Sequence, residues 1–379
     1  MNSATRHCLS DIKPTKLKPQ SSEWLIHELL KRSDTDIHNG DICLFHYPHA
    51  ADQVPYISYE EMQYAFRVLA GNVREEVRDN MVPSEFKERS SVETRNLITR
   101  IQFCWYQFPE LPRIVNAYAN IQHVDIRQNA SLKSIDSIIA QLPNLASLNL
   151  SDCPNIQTLS PLAASGSKVG SRNRRRHHDR LALKHLWVRG CNLNDMTSQE
   201  WANVFDALAG STGPLERLTL SRNNMSYLHG NVGKLASLTY MFVEDNNPGG
   251  GVYNDGRDFV IPEEIGQLQQ LLFVSLCGNN IKRLPQQMAH LKINCDVYLH
   301  RNPNLQYPPV QYQKSISLMR RFFHEERMKL LRGAVLFMPH LSRARLRANE
   351  RLYQPGGTKY FECKERFEES VRRTSLTHQ

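Results

Sequence analysis

Histidine pairs are the residues of this chain that come closest to a chemical motif. His46 and His49 stand in the sequence HYPH, and His177 and His178 precede Asp179. Imidazole and carboxylate groups at such spacings can bind a transition metal. A metal site needs a second pair of ligands at a recognisable spacing, and the sequence supplies none for either cluster. We therefore interpret these histidines as surface residues and expect no metal site.

Catalytic motifs are also missing from the sequence. There is no G-x-S-x-G nucleophile elbow, no H-E-x-x-H zinc-protease motif and no kinase loop. The glycines of residues 246–259 do not have the spacing of a phosphate-binding loop. None of the eight cysteines forms a C-x-x-C pair, and we interpret them as reduced thiols of an intracellular protein. We expect no catalytic residue, no cofactor and a function other than that of an enzyme.

The elements that must organise the chain come from a repeated apolar pattern. Residues 271–284 read LLFVSLCGNNIKRL, with apolar residues at positions one, four and six and Asn279 at position nine. Positions four and six are two residues apart, so a short strand would point both side chains to one face. The Asn279 amide falls where that strand ends, and it can both donate to and accept from backbone groups of the turn.

The same nine-residue pattern occurs seven times. Position nine is always Asn or Cys, which gives the repeat-turn residues Asn129, Cys153, Cys191, Asn223, Asn246, Asn279 and Asn302. The intervals between them are 24, 38, 32, 23, 33 and 23 residues, so the longer intervals must contain insertions in a unit of 23 or 24 residues. Ile98 and Ile101 stand where a degenerate first strand would precede the first copy.

On these residues the chain resembles the leucine-rich repeat proteins over about residues 98–309. The resemblance implies an α/β fold, in which seven or eight coils form a solenoid with a curved parallel sheet. We expect a mobile N-terminus at 1–20, a helical N-terminal region or cap at 21–96, the solenoid at 97–309 with inserts at 165–180 and 246–259, and a basic helical C-terminal cap and tail at 310–379.

Helical signals flank the repeats on both sides. A capping-box pattern precedes an amphipathic stretch in the N-terminal region, and Gly71 is expected to end that helix. After the last coil, Ile316, Met319 and Phe323 are spaced for one apolar helix face. We interpret the N-terminal region as a cap on the first coil, with a separate partner-binding domain as the alternative.

The net charge of +9 is concentrated in two segments. Fifteen Lys and Arg against seven Asp and Glu give residues 310–379 a net charge of +8, and residues 165–180 carry +5. The second segment contains a basic patch of Arg172, Arg174, Arg175, Arg176 and Arg180. Such a patch can bind phosphates, but it has no aromatic residues on which bases could stack. Nucleic acid is therefore the alternative partner rather than the expected one.

The strand face of the solenoid is the predicted binding surface. Positions three, five and seven of each copy point away from the core, because side chains alternate along a strand. They are small and polar in the early copies, whereas large aromatic residues and arginines, the usual composition of binding hot spots, occupy the later ones. We predict a partner-binding site on this concave face at Trp187, Arg189, Arg217, Tyr240, Phe242, Phe273 and Tyr298.

These observations predict a non-catalytic scaffold or adaptor whose partner is another protein. The alternatives are a nucleic-acid-associated protein that uses the basic 171–180 loop and the basic tail, and the substrate-receptor subunit of a ubiquitin ligase. No signal peptide and no stretch of 18 apolar residues is present, so we expect no membrane insertion and an intracellular location, cytoplasmic or else nuclear. The sequence leaves the oligomeric state open.

Overall fold

The structure of the protein is a computed structural model. It describes residues 18–23, 25–26, 30, 55–57, 59–82, 84–102, 109–110, 113–135, 142, 144–164, 182–211, 214–246 and 258–337. The chain divides into two compact units, Met1–Asn224 and Met225–Gln379. The predicted basic patch, most of the glycine-rich insert, the first 17 residues and the tail after residue 337 lie outside the described residues.

The first unit begins with a pair of short strands and three helices that precede the repeats. A parallel pair of strands comes first, β1 (Lys18–Gln20) with β2 (Pro55–Ile57), followed by α1 (Tyr59–Leu69), α2 (Glu75–Met81), a 3-10 turn at Ser84–Phe86 and α3 (Ser91–Leu97). Gly71 follows α1 with a φ of 74°, as expected of a residue that ends a helix. The buried Tyr118 hydroxyl donates a 2.6 Å hydrogen bond to the Phe66 carbonyl of α1. This bond ties α1 to the residues that lead into the first coil.

Five parallel strands follow in the first unit. They are β3 (Arg100–Gln102), β4 (His123–Asp125), β5 (Ser147–Asn149), β6 (His185–Trp187) and β7 (Arg217–Thr219). Each strand pairs in register with the next one along the chain. The segments that return the chain between strands include a 3-10 turn at Arg113–Ala117, α4 (Ser160–Ala164) and α5 (Ser198–Ala209). β3 confirms the degenerate first strand, since Ile98 and Ile101 are fully buried.

Helix α5 accounts for the 32-residue interval between Cys191 and Asn223. Thr197 caps the helix by accepting a hydrogen bond from the Glu200 amide, and the Glu200 carboxylate accepts one from the Thr197 amide in return. The sequence signal was the T-x-x-E pattern of a capping box. Trp201 and Phe205 lie on the buried face of α5, with their rings stacked at 5.6 Å. A longer interval in this chain therefore holds a helix packed into the core.

The second unit contains three parallel strands and a long C-terminal helix. The strands are β8 (Tyr240–Phe242), β9 (Phe273–Ser275) and β10 (Asp296–Tyr298), with β9 paired to both others, and 3-10 turns lie at Gly230–Lys234, Glu263–Gln267, Gln286–His290 and Val310–Tyr312. Helix α6 runs from Ile316 to Phe337. It ends two residues before Pro339, whose ring disfavours helix in the preceding residue.

Helix α6 covers the end of the second unit as the apolar spacing predicted. Ile316, Met319 and Phe323 are at most 2% exposed. Arg320 adds polar contacts, because its guanidinium donates 2.6 Å hydrogen bonds to the carbonyls of Ala289 and Leu291. Ala289 lies in the last 3-10 turn before β10, and Leu291 directly follows that turn. The helix therefore shields apolar side chains that no further coil would cover.

The core of each unit is built from positions one, four and six of the coils. In the first six copies of the pattern these residues are at most 3% exposed. The predicted leucine-rich repeat fold, with parallel strands, N-terminal helices and a C-terminal helix, is thereby confirmed. Over the residues described, no helix has the length and apolarity needed to cross a bilayer.

The residue before each repeat-turn residue has a left-handed backbone. Position eight has φ between 53° and 69° in all seven copies, at Gln128, Asp152, Gly190, Arg222, Asp245, Gly278 and Arg301. This conformation is uncommon outside glycine, and it turns the chain sharply at the end of the strand. The sequence pattern did not reveal it, because five of the seven residues are not glycine.

Position eight follows the order Asp, Gly, Arg over three successive coils in each unit. In the second unit Arg301 reaches Asp245 with a nitrogen to oxygen distance of 2.9 Å. A Cβ at Gly278 would lie only 2.2 Å from the same Asp245 oxygen. In the first unit a Cβ at Gly190 would lie 2.4 Å from an oxygen of Asp152. Glycine is thus favoured by its φ and required by the carboxylate beside it, which leaves no room for a Cβ.

Candidate functional site

Four aromatic side chains come together on the solvent-facing side of β8, β9 and β10. We call Tyr240, Phe242, Phe273 and Tyr298 the aromatic cluster. The ring of Phe273 lies 5.0 Å from that of Phe242, 5.0 Å from that of Tyr298 and 6.4 Å from that of Tyr240, measured between centroids. The cluster is therefore one continuous set of ring contacts centred on Phe273.

The strand register explains why Phe273 is the centre. Phe273 is aligned with Tyr240 on β8, whereas Phe242 and Tyr298 are both aligned with Ser275. Neighbouring strands are about 4.8 Å apart, so side chains on one face touch directly or diagonally. The small Ser275 leaves space between the two rings beside it, and the Phe273 ring contacts both of them. A large residue at position 275 would occupy that space.

The aromatic cluster is accessible but covers polar groups beneath it. Tyr298 is 42% exposed, while the other three rings are half-buried. Ser275 is 2% exposed and Cys277 is 8% exposed, although both stand at outward-facing positions. The Ser275 hydroxyl donates a hydrogen bond to the Glu244 carboxylate. The half-buried rings thus cover polar side chains that are hydrogen-bonded to one another. The rings themselves are not part of the core beneath the strands.

The predicted residues of the first unit have a more polar setting. Trp187 is half-buried, and its ring lies 5.4 Å from that of His185. Arg217 is aligned with His185 in the next strand, and Arg189 is exposed. The first unit therefore brings its tryptophan beside a histidine and places the two arginines on the same strand face.

Two histidines of the first unit are held in the neutral form by burial. Burial lowers the pKa of His123 to about 4, and the nearby Arg100 and His185 lower it further. Burial also lowers the pKa of His185, as does Arg217, while Glu216 opposes the shift from 4.0 Å away. Both imidazoles are thus uncharged at neutral pH, and the positive charge of this face comes from arginine.

The repeat-turn residues form a ladder of hydrogen bonds in the second unit. The Asn279 side chain accepts a 2.8 Å hydrogen bond from the Asn246 amide and donates to the Val243 and Leu276 carbonyls. Asn302 repeats the arrangement one coil later, since it accepts from the Asn279 amide at 3.0 Å. All three asparagines are at most 8% exposed. Their role is to satisfy buried backbone groups.

Cysteine takes the same place in two coils of the first unit. The thiol of Cys191 donates to the Leu150 carbonyl at 3.2 Å, and that of Cys153 donates to the Ile126 carbonyl at 3.4 Å. Burial raises the pKa of the Cys191 thiol well above its usual range. Such thiols are poor nucleophiles. No three His, Cys, Asp or Glu residues come together as metal ligands in the parts of the chain that the structure describes.

The structure brings some predicted site residues together and leaves others apart. The four aromatic residues of β8 to β10 are in mutual contact, and Trp187 contacts a histidine that the site prediction did not include. The basic patch lies outside the described residues. The predicted site also left out Glu244 and Asp296, although both stand at outward-facing positions of the repeat pattern.

Comparison with known proteins finds likeness only among solved structures. No protein family model and no curated protein matches the chain. A leucine-rich repeat protein of Leptospira interrogans is 18% identical with a TM-score of 0.43, and the match covers 59% of this chain and 48% of that one. The functional domain of InlJ from Listeria monocytogenes is 13% identical with a TM-score of 0.37, over 58% of this chain and 38% of that one. Human trophoblast glycoprotein is 18% identical with a TM-score of 0.38, over 55% and 71%.

The match spans about half the length of the first of these structures and less of the second. All three TM-scores are below 0.5. The assignment of the repeat fold therefore rests on the strand register and the buried positions of this chain.

Proposed function

We propose that this protein is a non-catalytic interaction module that binds a partner protein through the aromatic cluster. The observation that carries the proposal is the continuous contact among Tyr240, Phe242, Phe273 and Tyr298 on the strand face. Repeat solenoids use their extended strand faces for binding. Clustered aromatic side chains that the core does not need have the composition of binding hot spots.

The first unit contributes a second predicted contact to the proposal. Trp187, Arg189 and Arg217 lie on its strand face, where a tryptophan with arginines is also typical of interfaces. Among the described residues, the buried cysteines Cys153, Cys191, Cys277 and Cys295 form no disulfide bond, which supports a location inside the cell, where cysteines stay reduced. The nucleic-acid alternative depends on residues 171–180 and on a tail that is mostly outside the described residues, and it stays a prediction, as does the ubiquitin-ligase alternative.

Affinity capture from the native source with mass spectrometry tests the proposal. The bait is the full chain, compared with a Phe242→Ser/Phe273→Ser/Tyr298→Ser variant, each with and without nuclease. We expect the variant to lose a set of proteins that the wild type retains after nuclease treatment. A Trp187→Ser variant, tested alongside, shows whether the first unit contributes to the same interaction.

Two controls make the capture experiment decisive. Hydrogen exchange of the Val243 and Leu276 amides must be unchanged in the triple variant, since these residues lie in the core beneath the cluster. Light scattering over a range of concentrations reports whether the wild type self-associates through the same rings. Retention of every captured protein by a folded triple variant would refute the proposal, and so would a cluster that is covered by a second copy of the chain.

A further inference from the structure

The last coil of the second unit leaves its core positions partly open. In the six preceding copies of the repeat, the residues at positions four and six are at most 1% exposed. Val297 and Leu299 hold these positions in the last copy and are only half-buried, and Ile293, directly before that copy, is 63% exposed. Helix α6 contacts the 3-10 turns at Gln286–His290 and Val310–Tyr312. Its cover of the last coil is therefore incomplete at the strand.

The backbone of β10 is open on the same side. The Asp296 amide and the Tyr298 carbonyl bond to the preceding coil, so these two residues face β9. Backbone groups alternate in direction along a strand, so those of Val297 and Leu299 face away from β9. Among the residues that the structure describes, β10 is the last strand of the sheet and no strand pairs with it on that side.

The open edge also lacks the residues that commonly prevent strands from pairing. Lysine and proline often perform this role at the edges of natural sheets. Residues 295–301 contain neither. One additional strand would satisfy the backbone groups of this edge and would also cover the apolar side chains of the last coil.

We propose that β10 pairs antiparallel with β10 of a second copy of this chain, which gives a dimer with two-fold symmetry. The register places Tyr298 on the symmetry axis, opposite Tyr298 of the second copy. Val297 of each copy then lies opposite Leu299 of the other, and the two residues exchange N–H···O=C hydrogen bonds. Their side chains face the two cores, so each copy completes the cover of the other.

The side chains at the strand face favour this register. It places the Asp296 carboxylate of each copy opposite the His300 imidazole of the other, and both residues are exposed. Oppositely charged pairs directly across two antiparallel strands are stabilising, and this pair occurs twice in the dimer. A register shifted by two residues would place Asp296 opposite Tyr298 or Asn302 and would lose both pairs.

Pairing through the edge leaves the face of the aromatic cluster accessible. Strands that are added at an edge lie in the plane of the sheet, so Phe242 and Phe273 still face the solvent. The two Tyr298 rings meet at the symmetry axis, where aromatic cross-strand pairs are favourable. The inference is therefore compatible with the proposed function and does not rest on it.

Cysteine cross-linking of the full chain tests the register. In the dimer the two copies of residue 298 form a non-hydrogen-bonded pair with Cα atoms about 4.5 Å apart, a separation that a disulfide can span. Tyr298→Cys should therefore give a covalent dimer on mild oxidation, above the background of wild type. Asp296→Cys is the matched control, because its two copies are offset by four residues, roughly 14 Å, and should not cross-link.

Sedimentation equilibrium of charge variants tests the pairing across the edge. We expect wild type to dimerise, and His300→Asp to weaken the dimer by roughly three- to thirtyfold, because it places a carboxylate opposite Asp296 at two sites. Asp296→Lys/His300→Asp restores opposite charges across the edge and should restore the dimer. Glu263→Lys reverses an exposed charge on a 3-10 turn of the same unit and should have no effect.

The outcomes separate this dimer from other modes of association. It should persist in a Phe242→Ser/Phe273→Ser variant, whereas association through the rings would not. A wild-type chain that stays monomeric at every concentration refutes the inference. A Leu299 amide that is protected from hydrogen exchange in such a monomer would show that another segment of the same chain occupies the edge.

The register and the proposed function can also fail separately. Equal cross-linking of Tyr298→Cys and Asp296→Cys overturns the register, and so does a dimer that His300→Asp leaves unchanged. A monomeric chain whose ring variant loses captured proteins would still support the proposed function. A dimer with the expected cross-link, whose captured proteins do not depend on the rings, would support the inference alone.

Discussion

Replacement of Asn279 by alanine should strongly destabilise the second unit. The Asn279 side chain is fully buried and makes three hydrogen bonds, to the Asn246 amide and to the Val243 and Leu276 carbonyls. The Leu276 carbonyl keeps another donor, because the Asn302 amide group also reaches it at 2.9 Å. Asn279→Ala therefore removes the hydrogen bonds that Asn279 makes with two buried backbone groups, the Asn246 amide and the Val243 carbonyl.

The size of the effect follows from those two groups. Each buried donor or acceptor that loses its partner costs about 1–3 kcal/mol, so Asn279→Ala should lower the free energy of unfolding by about 2–6 kcal/mol. Asn279→Cys should cost about half as much. The reason is that Cys191 already donates its thiol to the corresponding carbonyl of the preceding coil, whereas a thiol is a weak acceptor for the Asn246 amide.

Urea unfolding and hydrogen exchange of the Asn246 amide would measure this effect. Exchange is the sharper assay, because coils in a repeat array can open locally without global unfolding. Asn294→Ala is the matched control, since Asn294 is an exposed asparagine of the same unit, and it should stay within about 0.5 kcal/mol of the wild type. If Asn279→Ala and Asn294→Ala unfold with the same free energy, or if cysteine is as harmful as alanine, the ladder argument is wrong.

Three further predictions test other features, two of them with a matched control substitution. Gly278→Ala should cost about 1–3 kcal/mol in urea unfolding, because it adds a Cβ 2.2 Å from a carboxylate oxygen at a φ of 69°. Gly210→Ala, at a φ of −79°, should cost less than about 1 kcal/mol. Because the pKa of His123 is lowered to about 4, the folded state binds fewer protons than the unfolded state below pH 6.5. The free energy of unfolding of the first unit should therefore decrease as the pH falls from 6.5 to 4. His123→Asn should make this decrease smaller, as measured by urea titrations at several pH values. Phe323→Ala should lower the free energy of unfolding by about 3–5 kcal/mol, because the Phe323 ring is buried. Met328→Ala changes a side chain that is 37% exposed and should lower it by less than about 1 kcal/mol. Thermal and urea unfolding measure both effects.

The apolar framework of the fold could be predicted from the sequence because burial imposes a strict period. Val274 and Leu276 had to share one face of a strand, and Ile316, Met319 and Phe323 one face of a helix, and all five are at most 2% exposed. The amide chemistry of the repeat turns was equally visible, since only a side chain that donates and accepts satisfies both backbone groups.

The geometry of the candidate site could not be predicted in the same way. The aromatic residues were identified from their positions in the repeat, but their packing depends on how side chains lean across strands. Phe273 became the centre because Ser275 leaves space beside it, and this requires the register of three strands. The left-handed residues were missed for a related reason, since the ladder of neighbouring coils supports a conformation that Asp and Arg do not prefer on their own.

Successive coils carry different residues at position eight, so one coil cannot replace another. Aspartate, glycine and arginine follow one another over three coils, and the arginine at 301 reaches the aspartate at 245 across the glycine between them. Deletion of the coil that carries Arg301 would remove the guanidinium that pairs with the Asp245 carboxylate. Duplication of the coil that carries Gly278 would move Arg301 one coil further from Asp245, too far for the ion pair. Anyone who shortens or lengthens this array by design should therefore copy or remove three coils at a time.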